Sequence, residues 1–215
     1  SVKNPLTKVS EALRYELLSS ITDSNGDTVL TIAAVRRHTE LCVTLLSSLS
    51  PADRLKLIIV NKRTALHRGA YRGYTETVSG ILNCLTAEQQ LQLLFTQDKY
   101  GDTALHDAAR WGHTETVKTL LDNLKPKQQL QLLFTQNSGG DTAFHQAALR
   151  GLTDTVKTLL DIITPGQRLQ LLSLQNKNGR TAHMSSVHLE TTTILEQYYK
   201  EAESIIYREF VKNKE

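Results

Sequence analysis

The 215-residue chain is poor in aromatic residues and in long hydrophobic runs, and each shortage excludes a class of protein. Aromatic residues make up only 6% of the chain, which disfavours a bulky globular centre and suits helices packed through small and aliphatic side chains. No run reaches the roughly 18 apolar residues of a transmembrane helix, so the sequence predicts no membrane insertion. The net charge of +3 is too small to indicate nucleic-acid binding.

The motifs of common enzymes are also missing. The chain contains no Gly-x-Ser-x-Gly, no glycine-rich phosphate loop, no Cys-x-x-Cys and no His-Glu-x-x-His. Its carboxylates are scattered, and no pair of them is indicated for acid–base work. The sequence therefore predicts a protein that is not an enzyme and needs no cofactor. The chain begins at Ser1 rather than at methionine, so we expect it to be a piece of a longer protein.

What the chain does contain is a recurring helix–turn–helix pattern, most complete in residues 97–121. Thr103 is placed to accept hydrogen bonds from the free amides at the start of a first helix. Gly112 can adopt a positive φ, which ends that helix and reverses the chain. A second helix follows, with apolar residues at helical spacing on one face: Val117, Leu120 and Leu121.

The pattern returns at a nearly constant interval. Its anchor threonines are separated by 36 residues and then three times by 39: Thr28, Thr64, Thr103, Thr142 and Thr181. The run from Thr103 to Ala109, with its Leu-His-x-Ala-Ala core, and the pair Gly112-His113 resemble the ankyrin repeat. The resemblance implies an all-α ankyrin-repeat solenoid of five repeats. Alanine replaces the family's usual proline at the first helical position.

The period of 39 exceeds the ordinary ankyrin period of about 33 residues. The additional residues have a consistent character, seen in the segment 126–134 and its equivalents. Serine or threonine followed by proline, as at Ser50 and Thr164, is typical of a helix start. We therefore expect a short third helix in each repeat, with Leu130 and Leu133 or their neighbours buried. The alternating Leu-Gln-Leu leaves a strand as the competing interpretation.

The pattern divides the chain into six parts. The expected boundaries are an N-terminal capping helix at 1–22, ankyrin repeats at 23–60, 61–96, 97–135 and 136–174, and a degenerate fifth repeat with a long C-terminal capping helix at 175–215. The N-terminal segment has an approximate one-face helical pattern, which resembles a cap on the first repeat or the last helix of a preceding repeat: Leu6, Val9, Leu13, Leu17 and Ile21. The C-terminal helix has a similar expected face: Leu195, Tyr198, Tyr199, Ala202, Ile205, Ile206 and Phe210. A coiled-coil partner helix is the alternative for that last segment.

Histidines and cysteines are the candidates for metal or redox chemistry. His67, His106 and His145 each follow an anchor threonine by three residues, and the resemblance implies that each ring braces its own turn. Adjacent repeats lie about 10 Å apart, too far for these side chains to share one metal ion at bonds of about 2 Å, so no metal site is predicted. Cys42 takes a buried valine slot and Cys84 a different one, so we expect free thiols, a reducing compartment and a cytoplasmic location, with the nucleus as the other possibility.

In the ankyrin family, partners are usually held on the concave side, by loop tips and by the two residues before the glycine that ends the first helix. The resemblance therefore implies these partner-binding residues: Arg36, Tyr71, Arg72, Tyr100, Arg110, Trp111, Leu149 and Arg150. Aromatic residues and arginines dominate interface energetics. Tyr71, Trp111 and Leu149 are expected to form an apolar strip with a spacing of about 10 Å.

The predicted function is a protein–protein interaction module whose partner segment carries acidic and apolar residues. Two other functions stay open. The first is a spacer or self-association module, in which the ends of the chain matter. The second is a basic surface that binds anionic ligands through these residues: Arg36, Lys62, Arg63, Arg72, Arg110 and Arg150.

Overall fold

The computed structural model describes residues 10–24, 26–60 and 63–212, and helices dominate it. In chain order they are α1 (Glu11–Ser20), α2 (Val29–Val35), α3 (Thr39–Ser47), α4 (Pro51–Ile58), α5 (Ala65–Arg72), α6 (Thr75–Asn83), α7 (Ala87–Leu94), α8 (Ala104–Arg110), α9 (Thr114–Asp122), α10 (Pro126–Leu133), α11 (Ala143–Leu149), α12 (Thr153–Asp161), α13 (Pro165–Ser173), α14 (Ala182–Ser185) and α15 (Leu189–Lys212). Within these ranges no strand forms, and a single isolated bridge joins Thr22 to Thr28.

The helices stack in the order that the repeats predict. Each first helix packs against the next one, in the series α2, α5, α8, α11 and α14, and each second helix does the same, in the series α3, α6, α9, α12 and α15. One continuous apolar core runs from Leu18 to Leu195. The predicted all-α solenoid is therefore confirmed. Among the described residues, no helix is long and apolar enough to cross a membrane.

The first helices begin where the threonines predict. The hydroxyls of Thr28, Thr64, Thr142 and Thr181 each accept a hydrogen bond from the backbone amide three residues later. In α8, Ala108 and Ala109 are fully buried, because small side chains let the neighbouring first helices approach closely. Arg37 stands where later copies have glycine, and it adopts the same left-handed conformation, with φ of 60°.

A ladder of threonine pairs joins the second helices. Thr75 Oγ1 lies 2.8 Å from Thr116 Oγ1, and Thr114 Oγ1 lies 3.0 Å from Thr155 Oγ1. The same contact recurs at both ends of the stack, between Thr39 and Thr77 and between Thr153 and Thr191. This ladder was not predicted from the sequence, although a Thr-x-Thr pattern opens three of the second helices. Its last member lies in α15, so that long helix begins as the second helix of the fifth repeat.

The additional residues form the predicted third helices α4, α7, α10 and α13, and the strand interpretation is wrong. Capping explains the outcome: Thr86 and Gln89 satisfy each other's backbone amides at the start of α7. Gln90 then donates to the carbonyl of Leu82, which closes the end of the second helix. The buried leucines of α10 are Leu132 and Leu133, both fully buried, while Leu130 is only partly buried.

Among the described residues, the apolar face predicted for the N-terminal helix is wrong. Leu13, Leu17 and Ile21 are 55%, 44% and 50% exposed. Helix α1 instead buries Leu18 and packs Tyr15 partly against the core. Helix α1 contacts α2 and α4 through this neighbouring stripe. Leu13, Leu17 and Ile21 are four residues apart and share one face, whereas Leu18, the sequence neighbour of Leu17, lies about 100° further round the helix. Leu6 and Val9 lie outside the described residues.

The prediction for the C-terminal helix is half right. Helix α15 packs against α12, α13 and α14, and it buries Leu195 and Ala202, with Tyr198 and Ile205 partly buried beside them. The other predicted members are exposed: Tyr199 at 40%, Ile206 at 37% and Phe210 at 56%. A 24-residue helix cannot turn both sets to one neighbour, because they occupy adjacent stripes of its surface.

Candidate partner-binding site

The candidate site is built where successive first helices end. After α5, α8 and α11 the chain reverses through glycines with φ near 70°: Gly73, Gly112 and Gly151. Position 73 requires glycine for two reasons: the positive φ, and the close approach of the His113 ring of the next repeat, from which a Cβ atom would lie only 2.5 Å. The residues just before each glycine are therefore held at equivalent places in successive repeats.

An aromatic pair forms the centre of this region. The rings of Tyr71 and Trp111 meet edge to face, with centroids 5.0 Å apart and an interplanar angle of 67°. Trp111 is 42% exposed and Leu149, one repeat further on, is 46% exposed. The two rings touch, so the predicted spacing of about 10 Å is wrong for this pair: each side chain leans toward the other and shortens the distance between helix ends. We call Tyr71, Trp111 and Leu149 the aromatic strip.

Guanidinium groups cover the aromatic pair from both sides. Arg150 lies over the Trp111 ring, with Cζ 4.7 Å from the ring centroid. Arg63 lies over the Tyr71 ring at 4.9 Å, and Arg72 approaches the same ring at 6.0 Å. Cation–π contacts of this kind are attractive. The four side chains form a continuous row of contacts in the order Arg63, Tyr71, Trp111, Arg150, and Trp111 stays half-exposed.

The arginines of the predicted site differ in what they bind. Arg110 is committed within the protein, since it pairs with the Asp102 carboxylate at 2.5 Å and donates to Gln146 Oε1 at 3.0 Å. Arg36, Arg72 and Arg150 are exposed and have no carboxylate partner within the described part of the chain. Arg110, one of the predicted partner-binding residues, therefore has its guanidinium engaged by the neighbouring turn and helix.

Tyr100 lies apart from the aromatic pair. It is 56% exposed at the tip of the turn before Thr103, and its ring carries the Lys99 ammonium at 4.9 Å. Its backbone carbonyl accepts a hydrogen bond from Ser138 of the following turn. Tyr100 therefore belongs to a ridge of turns rather than to the strip. Lys62, one of the residues considered for anion binding, lies outside the described residues.

Two charged pairs between repeats were not predicted from the sequence. Arg68 binds the Asp27 carboxylate of the preceding repeat with oxygens at 2.8 and 3.0 Å. In the next pair of repeats the charges are exchanged, and Arg63 reaches Asp107 at 3.4 Å. Asp107 is 1% exposed and its Oδ2 atom has no hydrogen-bond partner, so burial raises the pKa of this carboxyl to about 7. The sequence does contain a signal for this exchange, because Arg63 directly precedes its anchor threonine, where three other copies have aspartate.

The motif histidines are structural, as predicted. In each, Nδ1 lies 2.8–2.9 Å from the anchor threonine hydroxyl: His67, His106 and His145. Nε2 lies 2.9–3.0 Å from a backbone carbonyl further along the chain, of Asp102, Asp141 and Leu174 in turn. Desolvation by burial lowers the pKa of all three rings, so they stay neutral at physiological pH. No cluster of three or more metal-ligating side chains occurs among the described residues.

The cysteines match their predicted places. Cys42 is fully buried, and desolvation raises the pKa of its thiol to about 11, so it is a poor nucleophile. Cys84 is half-buried, and burial raises the pKa of its thiol as well. Both thiols are free.

Comparison with known proteins agrees with the repeat architecture. The family model described as "Ankyrin repeats (3 copies)" matches residues 50–131, and the one described as "Ankyrin repeats (many copies)" matches residues 105–160. Together they span residues 50–160, which is just over half of the 215-residue chain and includes the whole aromatic strip. No curated protein matches the chain.

Proposed function

The chain belongs to the ankyrin-repeat family, whose members generally act as non-catalytic modules of protein–protein interaction, and on that premise we propose that it binds a partner segment on its concave face, centred on the aromatic strip. The observation that carries this proposal is the stack of Arg63, Tyr71, Trp111 and Arg150. It leaves the only tryptophan of the chain half-exposed and already oriented.

Preorganisation supports a binding role for this stack. A tryptophan that is ordered before the partner arrives loses little side-chain entropy on binding. Burial of its apolar area against the partner is then offset by only a small loss of entropy. Trp111 meets the Tyr71 ring edge to face and has the Arg150 guanidinium over its own ring, so its remaining exposed area is what a partner can cover. Leu149 extends the apolar area into the next repeat.

Charge indicates the chemistry of the partner. Arg36, Arg72 and Arg150 carry exposed cations that no carboxylate of the described residues neutralises. A partner segment with acidic side chains beside one or two apolar anchors would complement them, and the charges would raise the association rate and fix the orientation. The free thiols suit a reducing compartment, so we place this interaction in the cytoplasm, with the nucleus as the alternative.

A peptide-display selection against the wild-type protein tests the proposal. We expect the selected peptides to combine acidic and apolar residues and to lose about thirtyfold in affinity for the Trp111→Ala variant, as for a hot spot worth about 2 kcal/mol. Tyr207→Ala is the matched control, because Tyr207 is a 70% exposed aromatic residue on α15. Selected peptides that bind the Trp111→Ala variant as tightly as the wild type would refute the site.

Self-association is the second candidate function, and the exposed side of α15 favours it. Tyr199, Ile206 and Phe210 follow one another at helical spacing with 40%, 37% and 56% exposure. A second copy could cover this stripe, and size measurement in solution distinguishes that function from a monomeric binding module. Binding of anionic ligands has less support, since Arg63 and Arg110 are already paired with carboxylates. A steep salt dependence of binding would favour it.

A further inference from the structure

One buried aspartate is connected to the aromatic strip through a single side chain. Asp107 of α8 is almost fully buried, and its Oδ1 atom lies 3.4 Å from a guanidinium nitrogen of Arg63 in the preceding repeat. Its Oδ2 atom is buried too and has no hydrogen-bond partner in the described part of the chain. A carboxylate that is buried and only half satisfied is costly to keep ionised.

The other exchanged charge pair shows a fully formed contact at the same place in the repeat. Both pairs join the residue before one anchor threonine to the fourth residue after the next anchor threonine. Arg68 reaches both oxygens of Asp27, at 3.0 and 2.8 Å, whereas Arg63 reaches one oxygen of Asp107 at a longer distance. Asp107 is also the more deeply buried of the two carboxyls. Burial therefore raises the pKa of Asp107 to about 7.

Besides burial, four charged groups act on the pKa of Asp107. Arg63, from the turn before α5, and Arg110 of α8 lower it, and Arg63 has the larger effect. Asp98 and Asp102, from the turn before α8, raise it. Arg63 is therefore the cation on which the ionised form of Asp107 depends most.

The helices that pack against α8 place no second partner at Asp107 among the described residues. Helices α5, α9 and α11 make these contacts. Burial lowers the pKa of the histidines on α5, α8 and α11 and keeps them neutral: His67, His106 and His145. Arg68 of α5 is paired with Asp27. The remaining charged side chains of α5 and α9 are exposed: Arg72, Glu115, Lys118 and Asp122.

Arg63 connects Asp107 to the aromatic strip. Its guanidinium carbon lies 4.9 Å from the centroid of the Tyr71 ring, and that ring meets Trp111 edge to face. The Arg63 side chain is partly exposed, so it borders both a buried carboxyl and a ring of the proposed binding site. Two contacts hold this guanidinium, and the strength of the contact with Asp107 depends on whether the carboxyl carries a charge.

We propose that protonation of Asp107 switches the aromatic strip between two states, with Arg63 as the connection. In the ionised state the carboxylate holds the guanidinium of Arg63 over Tyr71. In the other state Oδ2 has taken a proton from solvent, the carboxyl is neutral, and Arg63 becomes an unpaired cation that turns toward solvent beside Tyr71. The surroundings of the Trp111 ring then change, and the net charge of the site rises by one.

The switch regulates partner binding if the site acts as proposed above, and this consequence alone rests on the proposed function. An acidic segment meets the exposed cations Arg36, Arg72 and Arg150 in both states, and Arg63 joins them when Asp107 is protonated. We therefore expect the selected acidic peptides to bind about two- to fivefold more tightly at about pH 6 than at about pH 8, as one additional exposed ion pair allows. This difference should disappear in the Asp107→Asn variant.

Nuclear magnetic resonance of the free protein tests the switch without any partner. Trp111 is the only tryptophan, so its indole N–H group gives a single, identifiable signal. We expect this signal and the carboxyl carbon of Asp107 to titrate together in the wild type, with a midpoint near pH 7. In the Asp107→Asn variant the indole signal should lose this midpoint. Asp27→Asn is the matched control, because it removes the carboxylate of the other charge pair and should leave the indole titration unchanged.

Two further comparisons identify the route of the coupling. In the Arg63→Met variant the pKa of Asp107 should rise further, because its main cation is gone, and the indole signal should no longer follow it. His113 also lies near the strip, with Nε2 3.1 Å from the carbonyl oxygen of Tyr71. Its own titration would persist in the Asp107→Asn variant, which distinguishes it from that of Asp107.

Any of four results would overturn the proposal. Two need only the wild type, and so do not depend on the folding of a variant: an Asp107 carboxyl that does not titrate between about pH 6 and pH 8, or an indole signal that does not follow it. The other two are an indole response that persists unchanged in Asp107→Asn or one that still follows Asp107 in Arg63→Met. If the indole titrates as expected but the peptides bind equally at both pH values, the regulation of binding is refuted and the switch in the free protein stands.

Discussion

His106 is the side chain whose removal tests the stacking of the repeats most directly. Its fully buried ring lies with Nδ1 2.8 Å from Thr103 Oγ1 and with Nε2 3.0 Å from the carbonyl oxygen of Asp141 in the next repeat. The backbone amide of Thr103 also donates to Nδ1, so Nδ1 is an acceptor and Nε2 carries the proton. One neutral imidazole thus joins the start of α8 to the turn before α11.

The expected cost of His106→Ala follows from what the ring leaves behind. The Asp141 carbonyl and the Thr103 hydroxyl both lose a buried hydrogen-bond partner, and each unsatisfied group costs about 1–3 kcal/mol. The cavity adds to this loss, so we expect the free energy of unfolding to fall by about 3–5 kcal/mol. For a chain of this size that corresponds to a decrease in Tm on the order of 10 °C.

The pH dependence gives a second, independent signal. Burial lowers the pKa of folded His106 below its ordinary value of 6.5, so in that range the unfolded chain binds a proton that the folded protein does not. The contribution of neutral His106 to the free energy of unfolding is therefore complete above pH 6.5 and is lost as the pH falls from there toward the pKa of the folded state. Over that range the free energy of unfolding changes by at most about 1.4 kcal/mol per pH unit. Asp107, with a raised pKa of about 7, acts in the opposite direction, so the comparison is made as a difference between variant and wild type.

Urea unfolding of both proteins at several pH values measures the two effects together. His183→Ala is the control, because His183 is only half-buried and its contact with Glu196 is an exposed one at 3.4 Å. A His106→Ala variant within about 1 kcal/mol of the wild type, or one with an unchanged pH slope, would refute the bracing role. A rise in Tm on adding zinc to the wild type would refute the structural assignment of the histidines.

Two further changes test the packing and the turns of the stack. Leu133→Ala removes a fully buried side chain of α10 and should lower the free energy of unfolding by about 2–5 kcal/mol, measured by chemical denaturation. A change within experimental error would mean that α10 contributes nothing to the core. Arg37→Gly should raise the free energy of unfolding by about 1 kcal/mol, because Arg37 adopts φ of 60°, where glycine carries no steric penalty. The exposed contact of Arg37 with Glu76 at 3.6 Å is too weak to compensate. An unchanged or lower stability would contradict this expectation.

The fold was predictable where one residue type has one local role. Thr142 caps a helix and Gly112 reverses the chain whatever their neighbours are, so these elements could be found from spacing alone. The faces of the terminal helices were not predictable in the same way. Leu17 and Leu18 are adjacent and equally apolar, and only the position of α2 and α4 decides that Leu18 is the buried one.

The candidate site was predictable in its location but not in its contacts. The repeat register placed Tyr71 and Trp111 at equivalent helix ends, which was enough to make them neighbours. The edge-to-face contact depends on how far each side chain leans between repeats, and no sequence period carries that information. Arg110 also shows this limit, because its pairing with Asp102 and Gln146 combines residues of two repeats.

The contacts of Arg63 connect the stability of the stack to the geometry of the proposed site. The Arg63 guanidinium both pairs with Asp107 of the next repeat and lies over the Tyr71 ring, which touches Trp111. This pair is the looser of the two exchanged charge pairs, at 3.4 Å against 2.8 Å for Arg68 and Asp27. One oxygen of Asp107 and the Nε atom of Arg63 also have no partner in the described part of the chain. The aromatic strip thus adjoins the junction between repeats whose polar groups are least completely satisfied, so the orientation of its rings depends on packing between repeats as well as on the strip itself.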